Sequence, residues 1–131
     1  MNQQDWLDEL RWGAIALGTV CALALQVIVT FAVLRPFALP LGWGAVALVE
    51  LCIVIGAFVA GRRAPEAPLV NGLTMSLVCA TVSLVASVMR APGTLTLGSI
   101  AFLFGTFAVA GVLGGCAGGA VRGRRQAVMW R

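Results

Sequence analysis

Glu50 is the residue whose type and position point most directly to chemistry. It lies near the middle of Leu41 to Arg63, LGWGAVALVELCIVIGAFVAGRR, a run apolar for about the length that crosses a bilayer. A carboxylate near a bilayer centre is costly, so by default it marks a functional site. Counting back from Arg62 along a helix places it roughly 18 Å from that end. Gln26, counted from Arg11, lies roughly 22 Å deep by the same rule. Ser83 and Thr81, on the third apolar run, belong at a similar depth. Gln26, Ser83 or Thr81 could hydrogen-bond a protonated Glu50. Two chemistries fit: a proton- or cation-coupled site, or a neutral carboxyl group bonding a neighbouring helix or a partner protein. No second charged residue accompanies Glu50 within an apolar run, and a proton relay needs more than one group. Helix contact is therefore the first reading and transport the second.

Other residue types narrow the chemistry. There is no His and no Tyr, so His-based triads and the commonest metal ligand are excluded. The four cysteines, Cys21, Cys52, Cys79 and Cys116, fall one per apolar run without a CxxC pair. Thiolates deep in lipid are expensive, and free Cys packs there as a small hydrophobe, so neither a metal site nor a disulfide is expected. The glycines from Gly111 to Gly119 lack the Gly-Lys-Ser/Thr ending of a phosphate loop. They suit close helix packing instead. No catalytic residue and no cofactor site is expected.

The elements that position these residues follow from composition. Of 131 residues, 60% are hydrophobic and 11% charged, against about 25% charged in ordinary soluble domains. A chain this small cannot hide that much apolar surface from water, and lipid is its natural solvent. The predicted fold is all-α, a single integral membrane four-helix bundle with spans at 13–34, 41–60, 69–89 and 95–121. The acidic N-terminus, MNQQDWLDELRW, lacks the basic n-region of a signal peptide. It reads as a short interfacial helix, or an extension of a retained first span, with Trp12 at headgroup level. Arg35-Pro36 and Pro40 shape the first turn, Arg62 to Pro68 the second, and Arg90-Ala91-Pro92-Gly93 the third.

Small residues mark the helix faces. Gly18, Ala22, Gln26 and Thr30 recur every four residues on the first span. Glu50 shares a small face with Ala47, Ala57 and Gly61. Ser76, Ala80, Ser83 and Ser87 form a stripe on the third span, and Gly98, Ala101, Gly105, Ala108, Gly115 and Gly119 fall close to one face of the fourth. Gly18, Gly56, Gly61, Gly111, Gly115 and Gly119 are the predicted packing positions, several in Gly-x-x-x-Gly pairs. The second and fourth spans both close on Gly-x4-Gly-Arg-Arg, at Gly56 to Arg63 and Gly118 to Arg125. The chain thus reads as two tandem, parallel transmembrane hairpins.

The nine basic residues are all Arg, against five acids, for a net charge of +4. Arg11, Arg62, Arg63, Arg122, Arg124, Arg125 and Arg131 fall on one side, and Arg35 and Arg90 on the other. That asymmetry puts both termini in the cytoplasm, in a bacterial cytoplasmic membrane. The pairs Arg62-Arg63 and Arg124-Arg125 suit anionic lipid headgroups or an acidic partner surface. With little aqueous face for a basic stripe, nucleic acid is not an expected partner.

The run Gly56-Ala57-Phe58-Val59-Ala60-Gly61-Arg62-Arg63, then Asn71-Gly72, then the Gly-Gly-x-x-Gly-Gly close at Gly114 to Gly119, resembles the small four-helix bacterial membrane proteins of the YrzE-like group. The resemblance covers most of the chain and rests on glycines and hydrophobicity. It implies the four-helix fold and no defined activity, and Glu50 is not among its residues. Small multidrug transporters also have four short spans and one membrane carboxylate. Theirs is in the first span with an aromatic set around it; here it is in the second and Tyr is absent. The expected function is a non-catalytic membrane subunit that packs against a larger complex, with a small oligomeric transporter or channel built on Glu50 as the alternative.

Overall fold

The structure is a computed structural model that describes residues 11–34, 43–64, 66–90, 93 and 95–129, with the side chains of the last helix described as far as Val121. Helix α1 (Trp12–Val29) runs on through a widened, π-type turn (Thr30–Leu34); α2 is Trp43–Arg63, α3 Pro68–Arg90 and α4 Leu97–Met129. No strand occurs among the described residues. Each helix has a stretch long and apolar enough to cross a membrane: Trp12–Val33, Trp43–Arg63, Pro68–Arg90 and Leu97–Val121. In lipid the backbone must satisfy its own polar groups, which makes each apolar run a helix. The chain is an integral membrane protein with an all-α four-helix fold.

The helix starts are chemically specified. Pro68 opens α3, where its missing N–H costs nothing. Thr96 and Ser99 cap α4 reciprocally: Ser99 N–H donates to Thr96 Oγ1 at 3.2 Å and Thr96 N–H donates to Ser99 Oγ at 2.9 Å. Gly93, at φ +98°, makes the turn between α3 and α4. The predicted N-terminal helix before Arg11, the Arg35-Pro36 and Pro40 turn, Ala91-Pro92 and the side chains of Arg122 to Arg131 lie outside the described residues.

The helices converge at one end and diverge at the other. In the closed half, backbones touch. A Cβ on Gly18 would stand 2.7 Å from the Gly56 carbonyl oxygen, and one on Gly56 would stand 2.7 Å from that of Gly18, so α1 and α2 cross there without side chains between them. Met75 of α3 reaches into this crossing. The glycines of α4 serve two neighbours. Gly114 and Gly118 lie against Val54, Ala57 and Phe58 of α2, while Gly111, Gly115 and Gly119 lie against Gly72, Ser76 and Pro68 of α3. Gly61 also meets Gly115. Asn71, fully buried, ties two helix starts together: its Oδ1 accepts from the Arg11 N–H at 3.1 Å and its Nδ2 donates to the Ala67 carbonyl at 2.8 Å.

In the open half almost nothing is buried. Beyond Ala22 on α1, beyond Ala80 on α3 and before Phe107 on α4, no described residue is buried; before Cys52 on α2, only Ala45 is. The small stripe predicted along the whole of α4 is therefore used only in its second half. Gly98, Ala101 and Gly105 are exposed, because α4 has already separated from its neighbours there. Nor does the two-hairpin repeat close into a symmetric ring: α2 packs on α1, α3 and α4, whereas α1 and α4 hardly meet.

Candidate functional site

Glu50 projects from α2 into the open half. Its carboxylate is half-buried, and its Oε2 has neither solvent exposure nor a hydrogen-bond partner. It lines two spaces. One is a cavity of about 450 Å³ that also takes in Thr30, Ser83, Arg90, Ser99 and Thr106 between apolar walls that include Val46, Val49 and Phe102. The other is a groove of about 370 Å³ between α2 and α4, lined by Val54, Gly105, Thr106, Val109 and Leu113. Trp43 and Phe102 meet edge to face across α2 and α4, 6.3 Å between ring centres.

Gln26 lies elsewhere. It lines a third space, about 500 Å³ between α1 and α3, with Thr30, Ser83, Ser87 and Arg90. Its Nε2 is buried and also lacks a partner. Ser83 lines both the Glu50 cavity and the Gln26 cleft. The structure therefore brings Ser83 to each of the other two candidates but does not bring Gln26 to Glu50. Thr81 is not brought to Glu50 either: it lines neither of the two spaces, and its hydroxyl donates to the Leu77 carbonyl at 2.9 Å. The hydrogen bond expected for Glu50 from within its own bundle is not formed at Oε2, because the helices that carry its candidate donors have diverged.

The widened turn at the end of α1 helps shape both spaces. Thr30 N–H reaches the carbonyls of Gln26 and Val27, and its hydroxyl donates to Gln26 O at 2.7 Å. Such turns are rare and recur at functional sites. Sequence reasoning assigned Arg90 to topology alone and passed over Ser99 and Thr106. Ser99 and Thr106 stand seven residues apart, two helical turns, and that spacing was the available signal.

Arg62 and Arg63 are exposed at the end of α2 in the closed half; the side chains of Arg124 and Arg125 lie outside the described residues. The four cysteines are free, Cys52 and Cys79 buried. Among the described residues no group of His, Cys, Asp or Glu could hold a metal ion. The chain matches no family model, curated protein or solved structure. The functional reading therefore rests on geometry. That geometry offers one carboxylate oxygen able to accept a hydrogen bond, or to donate one when protonated, in a mostly apolar groove with no second acid beside it.

Proposed function

We propose that the chain is a non-catalytic integral membrane subunit that packs against a larger membrane-protein complex through the α2–α4 groove. The observation that carries this is the unused small face of α4 beside Glu50. A Cβ on Gly105 would meet nothing within 4 Å, and one on Gly98 would meet only Thr96 Oγ1, at 3.8 Å. Helices in lipid associate where small residues let backbones approach and where polar groups bond across the contact. Here such a face adjoins a buried carboxylate oxygen that lacks a donor. A partner helix over Gly105 would lie beside Glu50, and a turn of that residue's half-buried carboxyl group would bring the oxygen to a donor on the partner. The resemblance to the YrzE-like group adds no activity to this reading.

The test is native purification in mild detergent with identification of what co-purifies. A larger membrane protein is expected in fixed stoichiometry, lost on Gly105→Leu while the bundle itself stays folded. Recovery of a lone symmetric oligomer would sink the proposal. The second reading, a small oligomeric transporter or channel, draws on the Glu50 cavity with its hydroxyls and Arg90. It requires Gly61 to part from Gly115 in the closed half. Substrate flux into proteoliposomes that Glu50→Gln abolishes would establish it.

A further inference from the structure

We propose that the cleft between α1 and α3 in the open half is a binding site for an anionic phospholipid. This goes beyond the docking role and uses the α1–α3 cleft, which shares no lining residue with the α2–α4 groove, so either can fail alone.

The cleft, about 500 Å³, is polar at two levels and apolar along its edges. Arg90, the last residue of α3, supplies a guanidinium at its mouth. Of the described carboxylates, Glu66 pairs with Arg11, 3.8 Å apart, at the closed end, and Glu50, which lines the adjoining cavity together with Arg90, forms no ion pair with it. Deeper in the cleft, the buried Gln26 Nε2 still holds hydrogens without an acceptor. Thr30 and Ser87 already donate to the carbonyls of Gln26 and Ser83, so they present lone pairs. The unspent donors among the described lining residues are thus one cation at the helix end, one amide below it and the Ser83 hydroxyl.

That arrangement matches a phospholipid read from head to tail. The phosphate takes the guanidinium fork, and an ester carbonyl below it takes the amide hydrogen. Hydroxyls on the headgroup can donate to the Ser87 and Thr30 oxygens. The acyl chains then lie along Val27, Phe31 and Val82, which are 57%, 57% and 43% exposed beside the cleft. Among the described residues no acid lines the cleft, so no carboxylate stands directly against an anionic head there. The apolar walls are what a free phosphate ion would leave uncovered.

The experiment is native mass spectrometry of the full-length, delipidated protein in detergent. It is titrated with phosphatidylglycerol and, separately, with phosphatidylcholine of the same acyl chains. One phosphatidylglycerol should bind about tenfold more tightly than phosphatidylcholine, because phosphatidylcholine offers the same phosphate but sets a quaternary ammonium beside the Arg90 guanidinium and has no headgroup hydroxyl for Ser87 or Thr30. Arg90→Gln should remove that preference, Arg90→Lys should keep part of it, and Gln26→Leu should weaken both lipids about equally. Arg62→Gln, at the closed end, should leave the tight site intact. Arg90 is exposed, so its variants fold, and unchanged helicity and monodispersity check this. The proposal is overturned if Arg90→Gln leaves the preference intact, if the two lipids bind alike, or if millimolar inorganic phosphate displaces phosphatidylglycerol.

Discussion

A buried carboxylate oxygen without a donor costs the fold that carries it, about 1–3 kcal/mol for an unmet polar group. Glu50 Oε2 is in that position. Replacing Glu50 by Leu should therefore leave the isolated bundle as stable or stabilise it by about that amount, read from the unfolding midpoint in a denaturing-detergent titration. The same variant should lose the co-purifying partner. A bundle destabilised by Glu50→Leu would instead make the carboxylate an internal brace. Asn71 is the opposite case, because its amide bonds the Arg11 N–H and the Ala67 carbonyl in a fully buried site. Asn71→Ala should cost about 1–3 kcal/mol in the same assay, with Asn71→Asp only partly restoring it because Asp lacks the amide donor. In the sequence Glu50 stood out at once, since a lone charge in an apolar run has no ordinary explanation. Asn71 did not, because its role depends on the start of α1 arriving beside α3, sixty residues away in the chain.

At the scale of the helices, identical residues divide by where the neighbours are. Gly72 and Gly115 stand against backbone: a Cβ on Gly72 would lie 2.6 Å from the Gly111 carbonyl oxygen, and one on Gly115 2.6 Å from that of Pro68. Neither atom can swing away as a side chain could. Gly72→Ala and Gly115→Ala should each destabilise the bundle by about 1–3 kcal/mol. Gly105→Ala should do the reverse, gaining about 0.5–1 kcal/mol from helix propensity alone, with all three measured by the same unfolding midpoint. With the widened turn counted in α1, the predicted spans start and end within three residues of the observed helices except at the end of α4, which runs on to Met129. Hydrophobic length and the cost of bare backbone in lipid are local properties, while a polar helix extension leaves no apolar mark. The predicted fourth span starts at 95, and the Thr96–Ser99 cap that sets the start of α4 at Leu97 goes unread in the sequence. The division of labour on α4 was not legible either. Helical periodicity groups Gly98 with Gly119 on one face, but it carries no information on where adjacent helices part.

The whole molecule is a wedge, knit by glycine at one end and spread at the other, and its charges follow the same axis. Arg11, Arg62 and Arg63 stand at the closed end and Arg90 at the open end. The sequence expressed the chain as two similar hairpins, each with its own Gly-Arg-Arg closure. Folding breaks that likeness, since α2 sits among all three other helices and α1 does not. The asymmetry leaves two different clefts, one beside Glu50 and one beside Gln26, where a symmetric ring would have two alike. Excess Arg holds its flank in the cytoplasm, so the closed end should face inward and both clefts should open toward the outer leaflet. Single cysteines at Glu66 and at Leu97 test this, because both positions are exposed at opposite ends, while the native thiols lie within the spans. On intact cells a membrane-impermeant maleimide should label Leu97→Cys and reach Glu66→Cys only after permeabilisation. The reverse pattern would turn the wedge over, placing the lipid cleft in the cytoplasmic leaflet and the Arg pairs outside. It would also remove the charge argument for orientation while leaving the Arg90 and Glu50 geometry untouched.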